Sequence, residues 1–400
     1  MVGDPKSSKV IMLVTNEVTH DSRVLKEAAA LAGLGFQVTI LGLDRKGTSP
    51  LVDEREGFVA YHCREWRFGR WLRNRRSLPL NFLGKALKAL RFFLFSCKAK
   101  GDIIHAHDLD ALPFGFLAAR RCRAKLVYDS HELAVEQWVQ GARPGSFTVP
   151  ITMLSRLEGY IASRADAVIT VNESIAQELA RRYLIAPPLI LRNCASRQEG
   201  RRAPSLKNLL GLSLQDRIVI HTGDLNPRGR ALRELILAFR DLSGIHLVFL
   251  GEGPMEKELQ ELARKEGLES MVHFLKPVLP EDLISTIAGA DLAAVTIKPH
   301  GSLNNLYSLP NKLFEAIAAG LPVVASDLPE IGKLVRAYEI GVFCQPHDPK
   351  DVARAIKEAL DPERYRAFKA NLKQAQEELN WERESRKLAD VYLHLIPAQR

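Results

Sequence analysis

One stretch, Pro310-Asn-Lys-Leu-Phe-Glu315-Ala-Ile-Ala-Ala-Gly320-Leu-Pro-Val-Val-Ala-Ser-Asp327, carries a helix pattern that continues through Gly-Leu-Pro into a buried strand. Its apolar residues Leu313, Phe314, Ile317 and Ala318 recur at the spacing of one buried helix face. Pro310 suits the first helical turn, where its missing N–H has no partner to lose. Glu315 falls off the apolar face, so we expect it to be available for another task.

Two interpretations of Glu315 are open from this stretch alone. Free N–H groups in a first helical turn attract anions, and a carboxylate one turn along can accept hydrogen bonds from two sugar hydroxyls. That combination would serve both halves of a nucleotide-sugar. The plainer interpretation is an ordinary helix with a solvent-facing glutamate and Gly320 as its C-terminal cap.

Short apolar runs alternate with helix patterns along the whole chain, which predicts α/β architecture with parallel sheets. In the first half we predict strands at 9–14, 36–41, 57–62, 102–107, 124–129, 166–170 and 188–191, with helices such as 21–33 and 109–121. In the second half we predict strands at 217–222, 245–250, 271–275, 291–295 and 321–325, with helices near 230–242, 254–266 and 350–360.

The chain of 400 residues is too long for a single core, so we expect two doubly wound, Rossmann-like domains facing across a cleft. Residues 1–195 should form the first and 208–379 the second, with an Arg-, Ser- and Pro-rich linker at 194–207. A terminal amphipathic segment, 380–400, should pack on another surface of the protein.

Charge is distributed unevenly along the chain. Residues 1–194 hold 28 Lys and Arg against 19 Asp and Glu, whereas residues 195–400 hold 28 of each. The excess is densest near 64–76, where six arginines are interleaved with Trp66, Phe68 and Trp71. This pattern predicts an anionic partner or surface for the first half only.

The five cysteines show no CxxC pair and no zinc spacing, which favours a reduced, cytoplasmic protein. The apolar run at 10–14 is too short for a signal-peptide core. No segment approaches the roughly twenty apolar residues of a membrane span.

Strand ends of the second half carry the candidate donor-binding residues. We predict that Gly223, Gly251 and Gly253 allow close backbone approach and that Arg228 supplies a permanent cation for a diphosphate. Further candidates follow other predicted strands; they are Lys276, Val278, Tyr307, Ser308, Leu309, Pro310, Asn311, Lys312, Leu313 and Glu315.

Polar clusters end two neighbouring strands of the first half, in Asp102-Ile-Ile-His-Ala-His107-Asp108 and in Lys125-Leu-Val-Tyr-Asp-Ser-His131-Glu132. We predict an acceptor pocket there, with His131 donating a hydrogen bond into it. The alternative is that 129–132 is a helix-capping cluster. His105 and His107 share a strand face, but no well-spaced third ligand supports a metal, so we expect them either to orient neighbouring groups or to be satisfied core histidines.

Asp108-Leu-Asp110 resembles the Asp-x-Asp that holds manganese in a different glycosyltransferase architecture. Here it opens a helix, so we expect Asp108 as the N-cap and Asp110 in the first turn near the positive end of the helix dipole. No metal is expected.

These segments together resemble the GT-B glycosyltransferases of family 4, a large retaining group that uses nucleotide-sugars. The resemblance covers nearly the whole chain. Its carriers are 21–28, 102–108, 128–132, 222–229, 249–254, 310–315 and 320–324. Trp381 and Tyr392 resemble the final helix of the family, which implies that 380–400 packs back on the first domain.

The resemblance implies roles for particular residues. Glu315 would hold the donor ribose as the second Glu of an E-x7-E motif, Arg228 would meet the diphosphate, and His131 would approach the transferred sugar. Asp21, His107, Asp108 and Glu132 would lie on the acceptor side. The chain departs from the family at Tyr307, where the first Glu is expected, and at Asp224, where many members have an Arg.

We therefore expect a retaining, metal-independent transferase without a cofactor, using a nucleotide-sugar, most simply linked to UDP or GDP, and a hydroxyl acceptor. Residues 64–98 include an apolar stripe at Phe82, Leu83, Ala86, Leu87, Leu90, Phe93, Leu94 and Cys97 with cations off it. This stripe would either dock on an anionic membrane, favouring a lipid-linked acceptor, or pack against its own sheet.

Two other classes remain open. The basic, aromatic patch is typical of nucleic-acid binding, although no recognisable reading module accompanies it, so no nucleic acid is expected. GT-B epimerases and phosphorylases share the expected architecture.

Overall fold

The computed structural model describes residues 5, 8–44, 49–64, 78–98, 100–136, 151–197, 206–227, 229–299 and 301–396. The chain divides into two compact units. Met1–Arg192 with Ser385–Arg400 form the first unit, and Asn193–Glu384 form the second. The predicted patch between 65 and 77 and the candidate Arg228 lie outside the described residues.

The first unit is built on one sheet. Its strands are β1 (Lys9–Val14), β2 (Gln37–Asp44), β3 (Val52–Arg55), β4 (Phe58–Arg64), β5 (Ile103–His107), β6 (Lys125–Ser130), β7 (Ala167–Thr170) and β8 (Leu189–Ile190). They lie in the order β3-β4-β2-β1-β5-β6-β7-β8, and every pair except β3 with β4 is parallel. His107 of β5 lies opposite Asp129 of β6, so the polar ends of these strands are neighbours.

Helices of the first unit connect these strands. They are α1 (Ser22–Gly33), α2 (Leu78–Ser96), α3 (Asp108–Cys122), α4 (Ile151–Ala162) and α5 (Glu173–Tyr183).

The second unit contains a parallel sheet in the order β11-β10-β9-β12-β13-β14. Its strands are β9 (Arg217–Thr222), β10 (Ile245–Leu250), β11 (Val272–Leu275), β12 (Leu292–Val295), β13 (Val323–Ser326) and β14 (Gly341–Cys344). Its helices are α6 (Leu206–Leu210), α7 (Leu232–Ala238), α8 (Glu256–Lys265), α9 (Pro280–Ile287), α10 (Leu303–Leu306), α11 (Asn311–Ala318), α12 (Pro329–Tyr338), α13 (Pro349–Ala359) and α14 (Pro362–Glu378).

The last helix, α15 (Trp381–Leu395), begins in the second unit, and its residues from Ser385 belong to the first. Tyr392 of this helix is fully buried in the first unit. Its ring lies edge-on to Phe36, with centroids 5.6 Å apart, and its hydroxyl is 2.8 Å from Nδ1 of His105.

The central strands are apolar because helices cover both faces of a parallel sheet. In β1 every residue after Lys9 is buried, and in β9 every residue after Arg217 is buried. This is why continuous apolar runs predicted strands here, and the predicted strands are confirmed to within about two residues at most ends.

The structure corrects the predicted elements in three places. Strand β3 was not predicted, because Asp53, Glu54 and Arg55 are polar and it lies at a sheet edge. Strand β14, which is four residues long, was not predicted either. The helix expected over 230–242 is shorter, since α7 gives way at Phe239 to a 3-10 turn.

None of the helices in the described ranges is both long enough and apolar enough to cross a bilayer.

Candidate functional site

Glu315 is fixed to the end of a strand in the second unit. It lies in the second turn of α11, and its Oε2 accepts a hydrogen bond of 2.9 Å from the hydroxyl of Thr222, the last residue of β9. The solvent-facing glutamate of the plainer interpretation is therefore wrong. The expected C-terminal cap is correct, because Gly320 has a φ of 67° and the following N–H of Leu321 returns to the carbonyl of Ala316.

Lys312 lies one turn before Glu315, and its ammonium donates to Nε2 of His221 at 3.0 Å. Burial and the nearby Arg230 lower the pKa of Lys312 to about 7, against the opposing pull of Glu315 and Asp224. Burial, together with Lys312 and Arg230, also lowers the pKa of His221 well below its usual range. His221 is therefore a neutral acceptor for the Lys312 ammonium.

Arg230 is a cation that the sequence reasoning missed. Its Nη1 donates to the backbone oxygen of Asp224 at 2.6 Å and lies 3.9 Å from the Oδ2 of that residue. Asp224, where the sequence departs from the family pattern, thus has the guanidinium of Arg230 close to its carboxylate. Lys312 and Arg230 together give this strand end its positive charge.

The three predicted glycines bring two loops together. A Cβ at Gly251 would lie 2.0 Å from the carbonyl oxygen of Gly223, and one at Gly253 would lie 2.5 Å from that of Leu225. Gly223 itself has a φ of 95°. The close approach predicted for a ligand is, in this structure, an approach between the loops after β9 and β10.

Other predicted donor residues surround α11 less closely. Pro310 is the N-cap with extended ψ of 147°, so its expected place in the first helical turn is wrong by one residue. Leu313 is fully buried in the core and has no side-chain surface to offer a ligand. Asn311 is exposed, and its Oδ1 accepts from Asn193 at 3.0 Å.

The remaining donor candidates lie in two segments. Tyr307 and Ser308 are half-buried after α10, and Leu309 packs on the core. After β11, Lys276 is exposed and pairs with Glu256 at 3.1 Å, while Val278 is 36% exposed.

A buried ion-pair network lies at the polar strand ends of the first unit. Arg23 of α1 donates from Nε and Nη2 to the two oxygens of Asp129, each at 2.9 Å, and from Nη1 to the carbonyl of Leu191. Arg23 and Asp129 are at most 3% exposed. Burial alone would raise the pKa of Asp129, but Arg23 and His131 hold it well below its usual range.

His131 lies between two carboxylates. Its Nε2 is 2.9 Å from Oδ2 of Asp129, and its Nδ1 is 3.2 Å from Oδ2 of Asp108. His107 reaches the same ring, with its Nδ1 3.2 Å from Nε2 of His131. Burial alone would lower the pKa of His131, but Asp108 and Asp129 raise it well above its usual value.

Asp108 does not cap α3 as expected. The N-cap position is His107, and Asp108 is the first helical residue, with a φ of 62° that non-glycine residues seldom adopt. Its Oδ1 accepts the backbone N–H of His131 at 3.0 Å. Asp110 lies in the first turn of α3, as predicted.

The other acceptor-side candidates have structural partners. Asp21 caps α1 by accepting from the N–H of Val24 at 3.2 Å. Glu132 is half-buried, and its carbonyl accepts from the Ser130 hydroxyl. His107 is only 2% exposed, so it supports His131 and has almost no surface of its own.

Two carboxylates and two imidazoles lie close enough together in this network to surround an ion; they are Glu27, His105, His107 and Asp129. Arg23 already supplies positive charge there, because its Nε is also 3.0 Å from Oε1 of Glu27. Burial and the Asp129 charge raise the pKa of Glu27 to about 8, which favours its neutral form. Arg23 and the neutral form of Glu27 therefore balance much of the charge within this network.

Sequence reasoning missed Arg23, Glu27 and Asp129 as members of this site. The available signal was spacing, since Arg23 and Glu27 stand four residues apart and share a helix face. For Asp129 the signal was a carboxylate near the end of an apolar strand.

Both halves of the chain match known protein families. A family model described as "Glycosyl transferases group 1" matches residues 205–376, and one described as "Glycosyl transferase 4-like domain" matches residues 20–193. D-inositol 3-phosphate glycosyltransferase 2 of Catenulispora acidiphila is 26% identical over 391 residues, which cover 93% of this chain and 89% of that protein.

Solved structures share the fold. Sucrose-phosphate synthase from Thermosynechococcus elongatus superposes with a TM-score of 0.74 at 20% identity, covering 97% of this chain and 99% of that one. HepE of Anabaena, solved in complex with UDP-glucose, gives a TM-score of 0.70 at 18% identity, covering 96% of this chain and 99% of that one.

Proposed function

The chain is a group 1 glycosyltransferase of family 4 with the GT-B fold, and on this premise we propose that it transfers a sugar from a nucleotide-diphosphate sugar to a hydroxyl group. The observation that carries the proposal is the cluster at the end of β9, where a held carboxylate, Glu315, lies beside the cations Lys312 and Arg230.

Each member of the cluster has a task in donor binding. Glu315 already accepts one hydroxyl hydrogen bond, from Thr222, and a ribose diol offers the same kind of donor. Lys312 and Arg230 are suited to a diphosphate, because phosphate oxygens are ionised acceptors that strengthen such hydrogen bonds.

Departure of the nucleotide diphosphate builds negative charge on its oxygens. In our proposal Lys312, Arg230 and the N–H groups opening α11 stabilise that charge where water is excluded, so no metal ion is needed and no cofactor takes part. Arg228, which lies outside the described residues, is proposed for the same task by resemblance.

The stereochemistry is proposed from the family resemblance. We propose transfer with retained anomeric configuration, by attack on the face that the leaving phosphate vacates, and we propose that His131 acts on the transferred sugar. The acceptor is a hydroxyl compound, and the curated relative suggests a phosphorylated polyol as the first one to test.

The donor is tested by thermal shift with UDP-, GDP-, ADP- and TDP-sugars, because a ligand that binds only the native state raises its melting temperature. We expect a shift with one base, and its loss in Glu315→Gln and in Lys312→Ala. Lys257→Ala removes an exposed lysine from α8 and is the matched control. Undiminished binding by both site variants would refute the assignment of the cluster.

Turnover tests the reaction itself. We expect acceptor-dependent release of nucleotide diphosphate, a product of retained anomeric configuration by NMR, and full activity in EDTA. Free epimerised sugar, phosphate-dependent cleavage of a glycoside, or activity abolished by the chelator would each contradict a part of the proposal.

We also propose that the first unit docks on an anionic membrane and that the acceptor is lipid-linked or membrane-bound. The support is the face presented by α2. Leu83, Leu90 and Leu94 are 46–48% exposed, whereas Phe92 on the other side of the helix is 1% exposed and packs edge-on against Phe114 of α3. Three leucines of the stripe that the sequence singled out are therefore accessible to a membrane surface.

Neighbouring helices extend this apolar surface. Helix α4 exposes Ile151, Met153, Leu157 and Tyr160, each 41–59% accessible, and Phe116 of α3 packs edge-on against Tyr160. Cations border the apolar side chains, with Arg164 over the Tyr160 ring and Arg120 over the Phe116 ring. Apolar residues rimmed by arginine suit the interface of an anionic bilayer.

Vesicle sedimentation tests the membrane proposal. We expect binding to vesicles that contain anionic lipid, weakened at high salt, and a loss of about tenfold or more when Leu83, Leu90 and Leu94 are all changed to Glu. The matched control changes two exposed leucines of the second unit, Leu209 and Leu214, to Glu. No binding at low salt would refute the proposal.

We propose a cytoplasmic location, on the inner face of the membrane. Its support is that all five cysteines are free thiols, which is typical of a reducing compartment.

A further inference from the structure

His131 has carboxylates on both of its ring nitrogens. Nε2 lies 2.9 Å from Asp129 and Nδ1 lies 3.2 Å from Asp108. A neutral imidazole has one N–H donor and one lone pair, whereas an ionised carboxylate can only accept. Satisfying both carboxylates therefore requires a proton on each ring nitrogen.

The two carboxylates are held ionised by other partners. Asp129 receives two hydrogen bonds from the buried guanidinium of Arg23, and Asp108 accepts the backbone N–H of His131 as well as the ring. Nδ1 of His107 lies 3.2 Å from Nε2 of His131 and 3.4 Å from Oδ2 of Asp129, so both histidine rings face the same carboxylate oxygen. Protonation of either carboxylate would discard these charge-assisted bonds.

We infer that His131 is a fixed imidazolium cation and that Asp129 and Asp108 are the positioning residues that keep it charged. As far as it concerns catalysis, this inference rests on the proposed function. It gives His131 a definite role there. The ring acts as a fixed positive charge, and because both of its nitrogens are protonated it has no free lone pair with which to act as a general base.

The charged and titratable groups around the ring all fit this role. From β5 comes His107, from β6 Asp129, from α3 Asp108, and from α1 Arg23 and Glu27. Burial lowers the pKa of His107, and burial with the Asp129 charge raises that of Glu27 to about 8. With His107 and Glu27 neutral, the two ionised carboxylates, Asp108 and Asp129, are balanced by Arg23 and the His131 imidazolium.

Nitrogen-15 NMR of the histidine rings in the full chain tests the charge directly. The His131 signal is assigned by its disappearance in His131→Gln. We expect both ring nitrogens to stay protonated well above the ordinary histidine pKa near 6.5, and we expect Asp108→Asn to bring the titration down toward that ordinary value. Asp102→Asn, which removes an exposed carboxylate before the start of β5, should leave the His131 titration unchanged.

The rate of sugar transfer tests the consequence. We expect Asp129→Asn to lower kcat/KM about tenfold at pH 8.5, with a deficit that shrinks as the pH falls to about 6, because low pH restores the proton that the lost carboxylate had held. A purely structural role would give a deficit independent of pH. If Asp129→Asn does not fold, Asp108→Asn, whose carboxylate is 33% exposed, takes its place.

The inference is overturned if wild-type His131 titrates near pH 6.5, or if one of its ring nitrogens is unprotonated at neutral pH. The NMR measurement needs no donor. If the protein transfers no sugar, the proposed function is refuted. The NMR spectrum would still show whether His131 is charged.

Discussion

At the scale of single residues, Lys312 makes stability depend on pH. Its ordinary pKa of 10.5 falls to about 7 through burial and the charge of Arg230. Between these values the unfolded chain holds a proton that the folded protein has released, so stability rises with pH across this window. Below pH 7 the folded protein carries the full cost of the buried ammonium.

Lys312→Met removes that cost. At about pH 6 we expect the variant to melt at a higher temperature than the wild type, by roughly 2–4 °C for each kcal/mol of the cost of burying the ammonium. This difference in melting temperature should disappear as the pH approaches about 10. Calorimetry at several pH values measures it, with Lys257→Met as the exposed control. A difference that is the same at every pH would show that Lys312 is not charged at a cost in the folded protein.

At the scale of elements, the loops after β9 and β10 depend on each other through glycine. A methyl group at Gly251 would overlap the carbonyl of Gly223, 2.0 Å away, and neither is a flexible side-chain end. The loop after β9, which leads from Thr222 to Arg230, is thereby held by its neighbour. The proposed donor binding and the packing of the two loops thus depend on the same backbone.

Gly251→Ala should destabilise the second unit by about 1–3 kcal/mol, because one loop must shift to admit the methyl group. Gly33→Ala is the matched control, since a Cβ there meets nothing within 4 Å and Ala favours a helix. Urea denaturation of both variants compares the two sites. Equal stability of Gly251→Ala and wild type would mean that the loops separate at little cost.

The sequence predicted most strands because those strands are buried on both faces and therefore read as apolar runs. It found His131 because that residue lies just beyond the end of such a run, and it found Glu315 because that residue falls off the apolar face of its helix, with Lys312 one turn before it. It could not pair Arg23 with Asp129, 106 residues apart, since that contact exists only once α1 is packed against the sheet. Arg230 was missed for a different reason, because a single arginine in a loop gives no periodic pattern in the sequence.

At the scale of the whole molecule, the first unit is built from both ends of the chain. Tyr392, near the C-terminus, fills a buried position against Phe36 and places its hydroxyl 2.8 Å from His105. Residues more than 280 positions apart therefore share one core.

Tyr392→Ala should lower the stability of the first unit by about 3–5 kcal/mol, the usual cost of deleting a buried aromatic side chain. Tyr160→Ala removes a tyrosine that is 50% exposed in the same unit, and we expect a smaller loss of about 1 kcal/mol, because the ring gives up only its edge contact with Phe116 and its contact with Arg164. Calorimetry of the full chain resolves the effect. Equal losses in the two variants would contradict the role given to the C-terminal helix.

This arrangement has a consequence for biosynthesis. The N-terminal 192 residues leave the ribosome well before Tyr392 is synthesised. Until then, the buried position beside Phe36 and His105 that Tyr392 occupies stays unfilled. The second unit, contiguous in the chain, can mature in the meantime. Synthesis of α15 then completes the first unit, and a polypeptide that stops before Ser385 would contain all of the second unit and an incomplete first unit.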